Sequence, residues 1–367
     1  MYVAIHWNNT PSGKRRLRGL GINLPGTPGP FNAITDVAGV EVGYTTLISG
    51  DGPRIVGQGP IRTGVTAILP RGRGDPQTAC AAGSYSFNGN GELTGLLWVE
   101  ESGELTTPIT ITNTHSCGVA RDATIQWLVN RKDQPAQDWG LPVAGETYDG
   151  ELNDINGFHV KAEHVIDALD NARGGQIELG SVGGGTGMLT FDFKAGSGSA
   201  SRLVSIDGET FTVGAFVQSN FGRRHEMMVD GHRVGKEMPG GELRGRPVGS
   251  IIAVIATDAP LLPHQLKRLA RRVPVGIART GGIGHNGSGD IFIAFSTANR
   301  EAYAISSTIS SIRCISTGRA IDGLFEATAQ ATEEAILDSI IANETMIGAD
   351  GNTAIGINHD RLLALLV

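Results

Sequence analysis

Residues 222–249 of this chain, GRRHEMMVDGHRVGKEMPGGELRGRPVG, form a long polar and glycine-rich stretch between two apolar runs, 211–217 and 250–256. Apolar runs of this length, rich in β-branched residues and bounded by glycine and charge, read as buried strands. Connections as long as the stretch between them are usually functional or disordered when they occur inside a compact domain. The chain therefore leaves a buried sheet, makes a polar excursion and re-enters at Gly249-Ser250. That junction sets Ser250 at the lip of a rigid strand, reachable from the loop side, which is a good place to hold a reactive hydroxyl.

Other β-like runs occur at 37–48, 64–69, 96–112 and 291–295, with helical patterns between them. The clearest helix spans 263–273. There Leu262, Leu266, Leu269 and Val273 share one face, and Pro263 suits a first helical turn. Helices are also expected at 118–130, at 160–171 ended by Gly174, at 320–341 and over 360–366. Residues 1–35 carry prolines and glycines without sustained periodicity and read as a lead-in wrapped on the body. No composition shift, long linker or repeat divides the chain, so 1–367 is expected to be a single domain. Strands mixed with helices, without regular β-α-β alternation, favour an α+β layered sandwich over a doubly wound parallel sheet.

Composition narrows the function. A formal net charge of −7 argues against nucleic acid as the main partner, because a phosphate backbone selects for a basic surface. No stretch reaches the apolar length of a membrane span, and the first residues lack an apolar signal core, so a cytoplasmic protein is expected. Cys80, Cys117 and Cys314 are odd in number and far apart, which suggests three packed thiols. The basic group Lys14, Arg15, Arg16 and Arg18 reads as a solvated cluster. Gly183 to Gly187 lacks the Lys-Ser/Thr pair of a phosphate loop, and Met188 breaks the dinucleotide pattern. His225-Glu226 has no second histidine at zinc spacing, and Asn286 replaces the first glycine of a nucleophile elbow around Ser288. No metal or organic cofactor is expected.

Gly249 before Ser250 has a chemical use. Glycine tolerates strained backbone angles and lets the serine hydroxyl approach its own preceding carbonyl, the geometry of an N-to-O acyl shift. Hydrolysis of the resulting ester would free an α-amine of pKa about 7.7 to 8.0 beside the hydroxyl it can deprotonate. Nucleophile and base would then belong to one residue.

The run GSIIAVIATDAPLLPHQLKRLARRVPVGIARTGG, followed by GHNGSGDIFIAFST, resembles the signature of the DmpA family of L-aminopeptidase D-Ala-esterase/amidases, which includes the β-peptidyl aminopeptidases. The likeness continues through FNAITDVAGVEVGYTT, FNGNGELTG, ITNTHSCGVARDA, ETYDGELNDINGFHV, GSVGGGTGM and VQSNFGRRH, covering about residues 15–345. It implies a four-layer αββα sandwich of the N-terminal-nucleophile-hydrolase type. It also implies self-cleavage between Gly249 and Ser250, giving an α chain of 1–249 and a β chain of 250–367. On the matching motifs, Ser250 is the nucleophile, and Tyr148 and Asn220 stabilise the oxyanion. Ser288 and Asp290 orient the nucleophile, and Glu146 holds the substrate ammonium, a role that suits a carboxylate.

The implied substrate is a small peptide, amide or ester with a free amine, and the implied assembly is a tetramer of αβ units. Two alternatives stand beside this reading. Ornithine acetyltransferases resemble the same fold and also cut themselves, but they expose a threonine where this chain has Ser250. A binding protein on the same scaffold would keep the loop at 222–249 uncut.

Overall fold

The computed structural model describes residues 4–131, 139–244, 249–304, 310–316 and 318–366. In chain order the principal strands are β1 (Glu41–Ser49), β2 (Ile61–Leu69), β3 (Cys80–Ser86), β4 (Glu104–Leu105), β5 (Ile109–Asn113), β6 (Val143–Thr147), β7 (Ser197–Ile206), β8 (Glu209–Asn220), β9 (Gly249–Thr257) and β10 (Ser288–Ser296). The principal helices are α1 (Cys117–Val129), α2 (Ala162–Asp170), α3 (Pro263–Ala270), α4 (Val273–Arg279) and α5 (Ala320–Ile341). The strands form a six-stranded sheet, ordered β4-β3-β10-β9-β8-β7, and a four-stranded sheet, ordered β1-β2-β5-β6.

The side-chain period of two along a strand sorts residues between the two faces. On β9, Ile252, Val254 and Ala256 face the other sheet and join Ile68, Ile109, Ile111, Phe216, Ile293 and Phe295. The alternate residues Ile251, Ala253 and Ile255 meet Leu266, Leu269, Leu324, Ile336 and Leu337 of the α3 and α5 layer. Val65, Ala67 and Leu69 of β2 pack outward on Ala120, Trp127, Val165 and Leu169 of α1 and α2. The layers are thus helix, sheet, sheet, helix, as expected. Burial on both faces is why β9 carries no polar residue between Ile251 and Ala256.

Small residues let the layers approach. A Cβ on Gly198 of β7 would stand 1.9 Å from the Ala335 carbonyl oxygen of α5. One on Gly83 of β3 would stand 2.5 Å from the Lys267 nitrogen of α3. Close helix–sheet contact through such positions hides β3 and β7 from a search for β-branched runs.

Several expectations need correction. Residues 96–112 are not one strand: Leu96–Ser102 is helical, followed by β4 and β5. Gly95 and Gly103 flank the helix with φ of 75° and 74°, left-handed values that glycine adopts at little cost. The helix expected over 263–273 ends at Ala270, and α4 begins at Val273 with Pro274 in its first turn. The stretch 222–249 is less polar in its packing than in its composition, since Met227, Val229, Val234 and Met238 are buried in the main core. Its residues 245–248 lie outside the described residues. Arg16 and Arg18 are not solvated, as described below, and Cys314 is exposed while Cys80 and Cys117 are buried. Among the described residues, no helix is long and apolar enough to cross a membrane.

Candidate active site

The site forms where β9 begins between two neighbours of opposite sense. Ser250 pairs with Asn220 at the end of antiparallel β8 and with Gly289 on parallel β10. Beneath it passes β6, at the edge of the smaller sheet. A Cβ on Gly145 of β6 would lie 2.8 Å from Leu93 and 3.4 Å from Ile252, so the sheets are in close contact at that glycine. The next residue, Glu146, therefore emerges beside the start of β9.

A cavity of about 630 Å³ opens there, with Asn90, Gly91, Glu92, Thr114, Glu146, Tyr148, Glu151, Arg244, Gly249 and Ser250 among its lining residues. Gly249 has φ of 152°, a conformation that side chains resist, and a Cβ on it would lie 2.0 Å from the Asn220 carbonyl oxygen. The Ser250 hydroxyl donates to the Gly249 carbonyl oxygen at 2.7 Å and accepts from the Gly289 N–H at 3.3 Å. The serine thus touches the carbonyl group it would have to attack.

Glu146 is 3 % exposed, although an isolated glutamate would ordinarily be a solvated charge. One oxygen accepts from the Glu92 N–H at 3.0 Å and the other from the Thr114 hydroxyl. Burial raises its pKa, while these two donors pull it down. Tyr148 lines the cavity partly exposed, and burial raises its pKa further, so its phenol stays protonated and able to donate.

Asn220 is fully buried directly across from Ser250, but its amide is already engaged. Its NH₂ donates to the Tyr148 carbonyl at 2.8 Å, and its oxygen accepts from the Leu189 N–H at 3.0 Å and from Arg244 at 2.6 Å. Ser288 and Asp290 lie on β10 and form a pair, the hydroxyl donating to the carboxylate at 2.5 Å. Asn88 donates to the second carboxylate oxygen at 3.0 Å and accepts from the Asp290 N–H at 2.5 Å. Burial raises the Asp290 pKa, against the hydrogen bonds from Ser288 and Asn88. Among the described residues no side-chain hydrogen bond joins Ser288 or Asp290 to the Ser250 hydroxyl; the β10 contact to that hydroxyl comes from the Gly289 backbone.

The sequence reading missed several participants. Arg244, from the end of the long loop, spans the site: it bonds Glu151 at 3.0 Å as well as Asn220, and its backbone N–H donates to Asp192. A lone arginine among the many charges of that loop carries no local signal. Asp149, behind Tyr148, is fully buried, and burial pushes its carboxyl up to about 7 against hydrogen bonds from Thr63 and Asn153. Asn88 and Glu92 sit in FNGNGELTG, a segment singled out by its likeness alone. Among the described residues, no group of His, Cys, Asp and Glu is placed to hold a metal ion.

The arrangement can activate a hydroxyl, donate to an oxyanion and receive a cation. Comparisons with known proteins give the family of the chain. The pattern of peptidase family S58 matches residues 32–354. A beta-peptidyl aminopeptidase BapA from Sphingosinicella microcystinivorans is 50% identical, over 96% of this chain and 91% of its own. Its namesake from Sphingosinicella xenopeptidilytica is 42% identical, over 96% and 90%. The solved L-aminopeptidase D-Ala-esterase/amidase of Ochrobactrum anthropi, described as a prototype serine aminopeptidase and a variant of the Ntn hydrolase fold, superposes with a TM-score of 0.89. It is 45% identical, covering 96% of this chain and 98% of that one. A Burkholderia sp. beta-aminopeptidase superposes with a TM-score of 0.85 at 44% identity, over 96% and 98%.

Proposed function

This chain belongs to peptidase family S58, the DmpA family of serine aminopeptidases, and from that premise we propose that it cuts itself between Gly249 and Ser250 and then uses Ser250 as an N-terminal nucleophile. The observation that carries the proposal is the Ser250 hydroxyl, held 2.7 Å from the Gly249 carbonyl oxygen at the wall of a cavity that also contains Glu146. The chain 1–367 is one domain that becomes an α chain of 1–249 and a β chain of 250–367.

In self-cleavage the hydroxyl adds to the Gly249 carbonyl carbon, the C–N bond breaks, and the ester that forms is hydrolysed. The freed α-amine of Ser250 then accepts the hydroxyl proton when substrate is attacked. Tyr148 and the second amide hydrogen of Asn220 donate to the tetrahedral oxyanion, a role typically worth about 2.7 to 4 kcal/mol per donor. Ser288 and Asp290 act as a unit that fixes β10, and with it the Gly289 N–H against the nucleophile. Glu146 binds the substrate ammonium. The proton on the α-amine passes to the leaving amine, and water hydrolyses the acyl-enzyme.

The substrate is a small peptide, amide or ester with a free terminal amine. The names of the relatives favour β-amino acid amides, with L-amino acid and D-alanine amides as the other classes. A tetramer of αβ units belongs to the same reading. Release of p-nitroaniline from free-amine β-amino, L-amino and D-alanyl anilides, each beside its N-acetyl form, tests the proposal. Hydrolysis confined to the free-amine forms supports it; equal hydrolysis of the acetylated forms, or none of any, contradicts it.

A further inference from the structure

The charges around the cavity do not balance, and the imbalance has a location. Three of its lining residues are acidic, Glu92, Glu146 and Glu151, and Arg244 is the cation among them. Arg244 is committed to Glu151 at 3.0 Å, with little of the arginine side chain exposed. Among the described residues, neither Glu92 nor Glu146 has an ion-pair partner.

These two are neighbours by construction. Gly91 packs so closely that a Cβ on it would lie 3.2 Å from the Glu146 carboxylate and 3.0 Å from the Gly289 Cα. That approach brings the Glu92 N–H to 3.0 Å from Glu146 Oε1, so the Glu92 side chain starts one residue from the buried carboxylate. The Glu92 carboxyl reaches the Cys117 thiol, at the start of α1. Burial first, and then the charges of Glu92 and Glu146, push that thiol up to about 12. The Glu92 charge also disfavours ionised Glu146. Two carboxylates therefore face one space, one locked in the wall by two donors and the other exposed at the rim.

We propose that Glu92 is a second carboxylate of the substrate-ammonium site, so that the free amine is clasped between a buried Glu146 and an exposed Glu92. This rests on the reading of Glu146 given above and deepens it. An ammonium offers three donors and needs acceptors on more than one side. A carboxylate has about four acceptor sites and Glu146 uses two of them on the Glu92 N–H and Thr114, so a second carboxylate supplies an acceptor for the third ammonium N–H. A cation placed between the two also removes their mutual repulsion, so the enzyme selects substrates whose amine is protonated.

Glu92→Gln keeps the backbone N–H to Glu146 and removes only the charge. On a free-amine β-amino anilide, KM is expected to rise about tenfold with kcat changed less than twofold, which is the pattern of lost ground-state binding. Glu92→Asp should recover part of the loss. The wild-type KM should rise as the substrate amine is deprotonated, and this dependence should weaken in Glu92→Gln. Intact mass reports whether each protein is processed, which separates failure of this inference from failure of the nucleophile assignment. A processed Glu92→Gln enzyme with KM within twofold of wild type, or with a loss confined to kcat, would overturn the proposal.

Discussion

Replacing Glu334 with glutamine tests how the two parts of the chain are held together. Glu334 is fully buried in α5, where its carboxylate accepts two hydrogen bonds from Arg18 at 2.8 Å, one from Arg202 at 2.7 Å and one from Asn32 at 2.5 Å. One turn further, Asp338 accepts two from Arg16, at 2.8 and 2.7 Å. Every one of these donors precedes Gly249 and both acceptors follow it, so in a cleaved enzyme the cluster ties one chain to the other. Glutamine preserves the shape but leaves Arg18 and Arg202 buried without their counter-charge. Breaking a buried ion pair on one side costs about 3–5 kcal/mol, a large part of the roughly 5–15 kcal/mol that stabilises a domain.

The pH dependence gives an independent handle on the same residue. Burial works against the Glu334 charge, but Arg202 and Arg18 outweigh it and lower the carboxyl from 4.5 to about 2. A lowered folded-state pKa stabilises above the unfolded value, and that stability is lost as pH falls from 4.5 through 2. The acid loss has the same sign as the cost of the substitution. Urea midpoints at pH 7, and a series from pH 5 to 2, should show the variant destabilised by about 3–5 kcal/mol and lacking most of that acid limb. A loss under about 1 kcal/mol, with the acid limb unchanged, would refute the reasoning.

Gly249→Ala places a methyl 2.0 Å from the Asn220 carbonyl at a φ that costs about 1–3 kcal/mol, so fragment formation on a gel should slow at least tenfold. Processing at the wild-type rate contradicts the role given to this glycine. Tyr148→Phe should lower kcat about 10²–10³-fold with little change in KM, as for removal of an oxyanion donor, whereas an unchanged kcat removes Tyr148 from the chemistry. Asp149, raised from 3.8 to about 7, keeps its proton in the folded state after the unfolded chain has lost it. Stability should therefore fall as pH rises from about 4 to 7, by up to ~4 kcal/mol, and Asp149→Asn should flatten that slope in thermal melts.

Much of the sandwich was legible because its central strands are continuous apolar runs and its helices carry periodic faces. The long helix over 320–341 appeared with its observed bounds. What stayed hidden depends on partners distant in sequence. Arg16 and Arg18 looked like solvated charge because their carboxylates lie more than three hundred residues away. Strand β3 and the first half of β7 are rich in alanine, glycine and serine, which suit close helix contact rather than strand propensity. At the site, Ser250 could be found from its place at the end of a polar excursion, and Glu146 and Tyr148 through family likeness. Glu92 and Arg244 become visible only when the fold brings separate segments around one cavity, and Asp149 only when the fold buries it behind Tyr148.

The intact mass of the purified protein under denaturing conditions, beside Ser250→Ala, tests the central claim most directly. The account predicts two wild-type fragments, of 249 and 118 residues, and a variant that stays whole. A wild-type protein that remains at 38.4 kDa would contradict it.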